Sequence, residues 1–264
     1  MTDTSSASST PTVVLVHGAF ADASGWASVI EELIAAGVPV RAIVNPLRGI
    51  SADSAYVASV IRQIPGPVLA VGHSYGGAVI TNAGLMADNV VGLVYVAAFA
   101  PDEGESLQEI EGRSADSILP SALRQTDYPA GPGSDVMREL SIDLNLFHEA
   151  FAADLPEEQA EVMARSQRPV SVAAFGEQTG VPAWKKMPSW AVVGTKDKAA
   201  GADVVLSMAR RAGAEITEVD ASHVPMMSRP DVVTDVILKA ANATVWLGRM
   251  TRAATDLPGL DHRW

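Results

Sequence analysis

The chain has 264 residues, 48% of them hydrophobic and 19% charged, with a formal net charge of −12. That length suits one α/β domain carrying an insertion, and the apolar share is enough to bury a large core, which excludes wholesale disorder. The acidity and the scatter of the basic residues exclude a duplex-binding face, and the absence of cysteine excludes disulfides, thiolate nucleophiles and zinc–cysteine centres.

The first ten residues, MTDTSSASST, are polar and lack a basic start and an apolar run. They read as a disordered tail over 1–10, not as a signal peptide. No run of about 18 apolar residues suggests a transmembrane helix. A cytoplasmic location and no membrane partner are therefore expected.

Thr12 to Val16 is a continuous apolar run ending at His17-Gly18, and reads as the first strand. A helix is predicted from Gly25 to Ala36, ended by Gly37. Val38 to Val44 follows as a strand, then a helix from Asp53 to Gln63 with Ser51 or Asp53 as candidate N-cap. Val68 to Val71 is a strand, Tyr75 to Met86 a helix of small residues, and Val90 to Ala97 a fourth strand. From about Pro101 to Lys186 regularity is lost, with helix-like pieces at Val136 to Leu140 and Glu157 to Ser166. Alternation resumes with a strand at Trp190 to Val193, a helix from about Asp203 to Ala212, a strand at Glu215 to Val219 and a last helix from about Asp231 to Leu247.

Strands apolar on both faces that alternate with helices imply a parallel sheet covered on both sides. The expected fold class is α/β, a three-layer αβα sandwich with a mainly parallel sheet of about six strands. The irregular middle is too long for a loop. The expected organisation is a core over 11–100 and 187–264, with a cap insertion over 101–186 above the carboxyl ends of the strands, where open α/β sheets bind ligands.

Gly72-His73-Ser74-Tyr75-Gly76-Gly77 is a G-x-S-x-G placed directly after a strand and directly before a helix. That is the context of a nucleophile elbow, in which a strained turn lifts the serine hydroxyl into the cleft and leaves room only for small neighbours. The alternative, a plain phosphate-binding glycine turn, lacks both the G-K-[ST] ending and G-x-G-x-x-G. An acyl-transfer enzyme also needs backbone N–H donors for the oxyanion. Tyr75, after the nucleophile, is one candidate; Ala19, in the loop after the first strand, is the other, with Phe20 next. Gly18 lets that loop backbone approach closely.

A serine hydroxyl needs a base. His262 lies in the C-terminal tail, His148 in the insertion, His73 beside the serine and His17 in the oxyanion loop, which leaves His223 after the last strand. The carboxylate that orients it is Asp197, in Gly194-Thr195-Lys196-Asp197-Lys198; Asp102 or Glu103, after the fourth strand, is the competitor. Phe20, Trp26, Met226 and Met227 lie near these loops and are candidate pocket residues, as are Leu144, Leu146, Phe147, Phe151 and Phe175 of the insertion. There is no His-x-x-x-His, and neither metal nor cofactor is expected.

On VLVHGAFADASGW, VGHSYGGAVI, VVGTKD and ASHVPMMSRP, from Thr12 to about Leu247, the sequence resembles the α/β-hydrolase-fold family. Within it the resemblance is to bacterial hydrolases related to plant methyl esterases and hydroxynitrile lyases. It implies Ser74, Asp197 and His223 as a catalytic triad in the family's order. It also implies a small carboxylic ester as substrate and partner. The plant-type lyases of this fold carry a threonine beside the oxyanion loop and a lysine after the histidine; here those positions are Gly18 and Val224. Hydrolysis is therefore expected over cyanohydrin cleavage. A perhydrolase or haloperoxidase activity on the same triad, or a non-catalytic ligand receptor, are the other readings. Nothing in the sequence decides between monomer and dimer.

Overall fold

The computed structural model describes residues 10–255 apart from 130 and 134. Of the tail expected over residues 1–10, residues 1–9 lie outside the described residues, as does the candidate histidine His262.

The first half alternates as its hydrophobic pattern dictates. Strand β1 (Thr12–Val16) leads through a short 3-10 turn into helix α1 (Ala27–Ala35), then β2 (Val40–Ile43), α2 (Ile50–Ile61), β3 (Val68–His73), α3 (Tyr75–Ala83) and β4 (Val90–Val96). The excursion that follows holds α4 (Leu107–Glu111), α5 (Leu119–Ala122), β5 (Leu123–Pro129), β6 (Val136–Ile142), α6 (Phe147–Phe151), α7 (Glu157–Ser166), β7 (Val170–Ser171) and α8 (Val172–Gly176). The chain then returns through β8 (Ser189–Gly194), α9 (Ala202–Arg211), β9 (Glu215–Val219), α10 (Pro225–Ser228) and α11 (Pro230–Thr255).

The main sheet has six strands in the order β2-β1-β3-β4-β8-β9, and every neighbouring pair is parallel. Strand β3 is buried along its whole length, as expected for a central strand with helices on both faces. From β1 the chain crosses to one edge through α1, then back past β1 to β3 through α2. Right-handed crossovers running in opposite directions put α1 and α2 on opposite faces. Accordingly α1 packs on α11, and α2 packs on α3. The reversal of direction between β1 and β3 opens a crevice at their carboxyl ends.

Two local expectations are corrected. Val136 to Leu140 is not helical: it belongs to β6, paired antiparallel with β5 from Leu123↔Ile142 to Pro129↔Val136 and extended by β7. Cross-strand pairing across a Gly-Pro-Gly segment at 131–133, held from outside by Arg48 on Glu139 (2.9 Å) and over the Tyr128 ring, overrides a short helix-like pattern. Helix α2 starts earlier than expected, with Gly49 as N-cap, so neither Ser51 nor Asp53 caps it from outside. Asp53 instead reaches back from the first turn, and its carboxylate accepts from the Arg48 amide at 3.1 Å.

Helix α1 tests the packing directly. Leu33 is fully buried, whereas its neighbour Ile34 is 63% exposed. Leu33→Ala should cost about 2–5 kcal/mol in urea unfolding, and Ile34→Ala less than about 0.5 kcal/mol.

Candidate active site

The crevice at the ends of β1 and β3 is where three backbones meet. Ser74 joins β3 to α3 with φ 52° and ψ −123°, a conformation non-glycine residues rarely adopt. Close approach enforces the glycines around it. A Cβ on Gly72 would lie 2.5 Å from the Gly76 carbonyl oxygen, and one on Gly76 would lie 2.4 Å from the Val16 carbonyl oxygen at the end of β1. Gly18 packs on the serine itself: a Cβ there would sit 2.7 Å from Ser74 Cβ. The Ser74 carbonyl accepts from the amides of Gly77 (2.9 Å) and Phe99 (3.2 Å), which fixes the turn.

Tyr75 is the first residue of α3, so its amide has no acceptor within the helix. Its ring is buried, and its hydroxyl donates to Asp53 Oδ2 at 2.8 Å. Burial pushes the Asp53 carboxyl above its ordinary range and the Tyr75 phenol far above its own. Ala19 and Phe20 lie in the turn after β1, both buried, with Phe20 at φ 60°.

His223 follows β9 and is 1% exposed. Its Nδ1 lies 2.8 Å from Asp197 Oδ2. Asp197, equally buried, uses its other oxygen to accept from the amides of Ala199 (2.9 Å) and Ala200 (3.1 Å). The flanking lysines turn outward, Lys196 to Asp220 and Lys198 to Glu149. A carboxylate so held keeps the proton on Nδ1 and leaves a lone pair on Nε2. The rival carboxylate faces elsewhere: Asp102 pairs with Lys185 at 2.5 Å, and that ammonium holds its carboxyl below the usual range.

Three further side chains fix this geometry. His73 Nε2 donates to the His223 carbonyl at 2.9 Å, with the two rings 4.8 Å apart. Burial, and then the neighbouring His223, hold its imidazole well below the ordinary pKa, so it is neutral. Asp154 accepts from both the amide (2.9 Å) and the hydroxyl of Ser222, one residue before His223. His17 takes the Asn45 amide on Nε2 at 2.9 Å, with Arg168 Nη1 at 3.2 Å from the same nitrogen, and gives Nδ1–H to the Gly18 carbonyl at 2.9 Å, so it braces the loop. Sequence reasoning singles out none of His73, Asp154 and Asp53 as a support. His73 lies inside the elbow motif and Asp53 reads only as a candidate helix cap, because the partners that give Asp53 and Asp154 these roles lie 22 and 68 residues away.

The pocket candidates divide. Phe20, Met226 and Met227 line a small cavity of about 50 Å³ with Phe151 and Val224. Phe151 also packs against His223 (4.9 Å), and Phe175 stacks on Phe20 (6.3 Å) and Tyr75 (6.4 Å). Trp26 is a correction: it is fully buried, edge-on to His73 at 6.3 Å, and is core packing, not a pocket wall. Phe147 packs behind Phe151 (5.0 Å), and Leu144 is 52% exposed on the outer surface. Among the described residues, no group of three His, Cys, Asp or Glu side chains could hold a metal ion.

Residues 13–236 match the model of the alpha/beta hydrolase family. The chain belongs to that family. A carbendazim hydrolyzing esterase from a Nocardioides species is 33% identical over 123 residues, which are 42% of this chain and 48% of that protein. The match thus spans about half of that relative. A Phoma protein named "Probable hydrolase R7" is 28% identical over 88% of this chain and 98% of its own. Among solved structures, polyneuridine aldehyde esterase superposes with a TM-score of 0.73 at 21% identity, covering 87% of this chain and 98% of that one. A methylesterase from Arabidopsis superposes with 0.71 at 19% identity, covering 88% and 99%. At these identities the likeness is one of fold, and it agrees with the resemblance to plant methyl esterases read from the motifs.

Burial lowers the His17 pKa to about 4. An unfolded histidine binds its proton near 6.5. Between those values the unfolded chain holds the extra proton, so stability is full above about pH 6.5 and falls as the pH drops towards 4. The expected loss from His17 is about 3 kcal/mol, and His73 adds to it in the same direction. Urea unfolding from pH 7 to 4 should show this slope, and His17→Gln should flatten it.

Proposed function

We propose that this protein hydrolyses small carboxylic esters, with Ser74 as nucleophile, His223 as general base and Asp197 as the carboxylate that orients the imidazole. The observation that carries the reading is the buried 2.8 Å contact between His223 and Asp197, together with Ser74 on a positive-φ strand-to-helix turn. A solvated ion pair would do nothing of the kind. Buried and backed by two amides, Asp197 stabilises the imidazolium that forms when His223 accepts a proton.

In this mechanism Ser74 Oγ attacks the ester carbonyl as its proton passes to His223 Nε2. The oxyanion is held by the amides of Tyr75 and Ala19, each typically worth about 3 kcal/mol. His223 then protonates the leaving alcohol, and later takes a proton from the water that releases the acid. Asp53 serves the oxyanion indirectly: by holding the Tyr75 hydroxyl it keeps that side chain out of the cleft and the amide in place. The 101–186 excursion acts as a cap, bringing Phe151 against His223 and Phe175 against Tyr75. Hydrolysis is favoured over cyanohydrin cleavage because Val224 is fully buried and apolar, and because the small cavity beside it has no cationic side chain among its lining residues to hold cyanide. The names of the relatives, an esterase and a hydrolase, support the same chemistry. A cysteine-free chain gains nothing from an oxidising compartment, which fits a cytoplasmic enzyme.

The test is turnover of p-nitrophenyl acetate, butyrate and octanoate. Ser74→Ala should abolish it. Asp197→Asn should lower kcat on the order of 10⁴-fold, by analogy with the serine protease triad. Asp102→Asn should stay within about twofold of wild type, as expected for an exposed ion pair. Activity persisting in Ser74→Ala would overturn the reading.

A further inference from the structure

A second cavity lies beside the site. It is a half-open groove of about 380 Å³ between α4, α5, the β5–β6 pair and α8. Gln108 and Gln125 stand exposed at its mouth, Leu123 and Leu140 form its sides, and Glu111 and Phe175, both buried, form its floor. Phe175 ties the groove to the chemistry. Its ring stacks on Tyr75, the residue after Ser74, and on Phe20 of the β1 loop, at interplanar angles of 27° and 28°.

Glu111 is the one ionisable side chain among the described residues that line this groove. Ser117 Oγ lies 2.6 Å from the Ala199 carbonyl oxygen, which can only accept, so the single hydroxyl proton of Ser117 is committed there. Ser117 Oγ also lies 3.2 Å from Glu111 Oε1. Burial, with the charge of Asp197 nearby, pushes the Glu111 carboxyl up to about 7. The same atoms explain the nearness of Asp197: Ala199, whose carbonyl Ser117 holds, gives its amide to Asp197 Oδ1. Among the described residues, no titratable group besides Asp197 faces Glu111. Helices α5 and α8 carry none, Lys198 turns away to Glu149, and Glu109 on α4 itself caps that helix at the surface. Among the described residues nothing bonds Glu111 Oε2.

A buried carboxyl on the floor of an apolar groove that has no basic side chain among its lining residues is matched by a cation. Resting on the ester-hydrolase reading, we propose that the groove receives one arm of the ester and that Glu111 selects an apolar arm carrying a primary amine. On binding, R–NH₃⁺ meets the Glu111 carboxyl; below about pH 7, where that group carries a proton, the proton passes to solvent and the carboxylate becomes the counter-ion. The net charge of −12 favours the approach of such a substrate.

Two measurements on the whole enzyme test this. In calorimetry the non-ester probe 3-phenylpropylamine should bind wild type at least tenfold more tightly than 3-phenylpropanol at pH 7.5. At pH 6 its binding should release close to one proton, and the release should fade as the pH rises past 8. Glu111→Gln and Glu111→Leu, checked for cooperative unfolding, should lose both the preference and the release. Equal binding of amine and alcohol by wild type, or no proton release at pH 6, overturns the subsite without any variant. In kinetics, para-aminomethylbenzyl acetate should exceed benzyl acetate in kcat/KM by more than about tenfold in wild type, and the ratio should fall near one in Glu111→Leu. If neither these esters nor the p-nitrophenyl esters turn over while the amine binds with proton release, the hydrolase reading falls and the cation site stands. If both esters turn over alike and the amine shows no preference, the cation site falls and the hydrolase stands.

Discussion

The site depends on how closely three stretches of backbone approach at the ends of β1 and β3. Ser74 holds its left-handed turn because Gly72, Gly76 and Gly18 present no side chain where the strand, the helix start and the β1 loop come into contact. The distances that a Cβ would have to survive, 2.4 to 2.7 Å, are far inside van der Waals contact, and two of the three obstacles are carbonyl oxygens that cannot rotate away. Strain of order 1–3 kcal/mol at such a residue persists only where the surroundings over-determine it. Here the parallel sheet supplies that rigidity, with β3 paired on both sides and buried throughout.

Electrostatics adds a second layer of order. Beside His223, two further histidines and three carboxyls lie buried around the serine, and their environments divide their duties. His17 and His73 are kept neutral by burial and act through hydrogen bonds to backbone, bracing the loops before Ser74 and around His223. Asp53 locks an aromatic ring. Asp197 has two amides on one oxygen and the imidazole on the other, the arrangement that best compensates a buried negative charge. The remaining carboxyl, Glu111, has one hydroxyl partner, and burial pushes it up to about 7. Asp197 meets two amides and an imidazole where Glu111 meets one hydroxyl.

What sequence can and cannot reveal follows the same division. The strands and helices of the main sheet are readable, because apolar runs on both faces and glycine-bounded helices are local signals. Ser74, His223 and Asp197 are reachable from their places at strand ends. The β5–β6 hairpin is not, since its pairing is set by partners across a turn and by Arg48, about 90 residues away. Trp26 is misjudged for a related reason: nearness in sequence to a loop says nothing about which side of that loop a ring packs on. Asp53, Asp154 and Glu111 each look like ordinary surface acids in the sequence, and only the fold buries or pairs them.

The link between Asp154 and Ser222 bears on how such a protein can change. Asp154 belongs to the excursion, while Ser222 belongs to the loop that carries His223. Arg168, also in the excursion, donates to the Asn45 carbonyl at 3.0 Å beside His17. The excursion is thus stitched to both loops that bracket the serine. Exchanging it wholesale between relatives to alter substrate range would loosen the histidine and the oxyanion loop together. Variation that keeps those two stitches and alters the side chains between them leaves the chemistry standing while the groove changes. In this molecule selectivity and machinery are one woven fabric, and its evolution should proceed by small darns more often than by new patches.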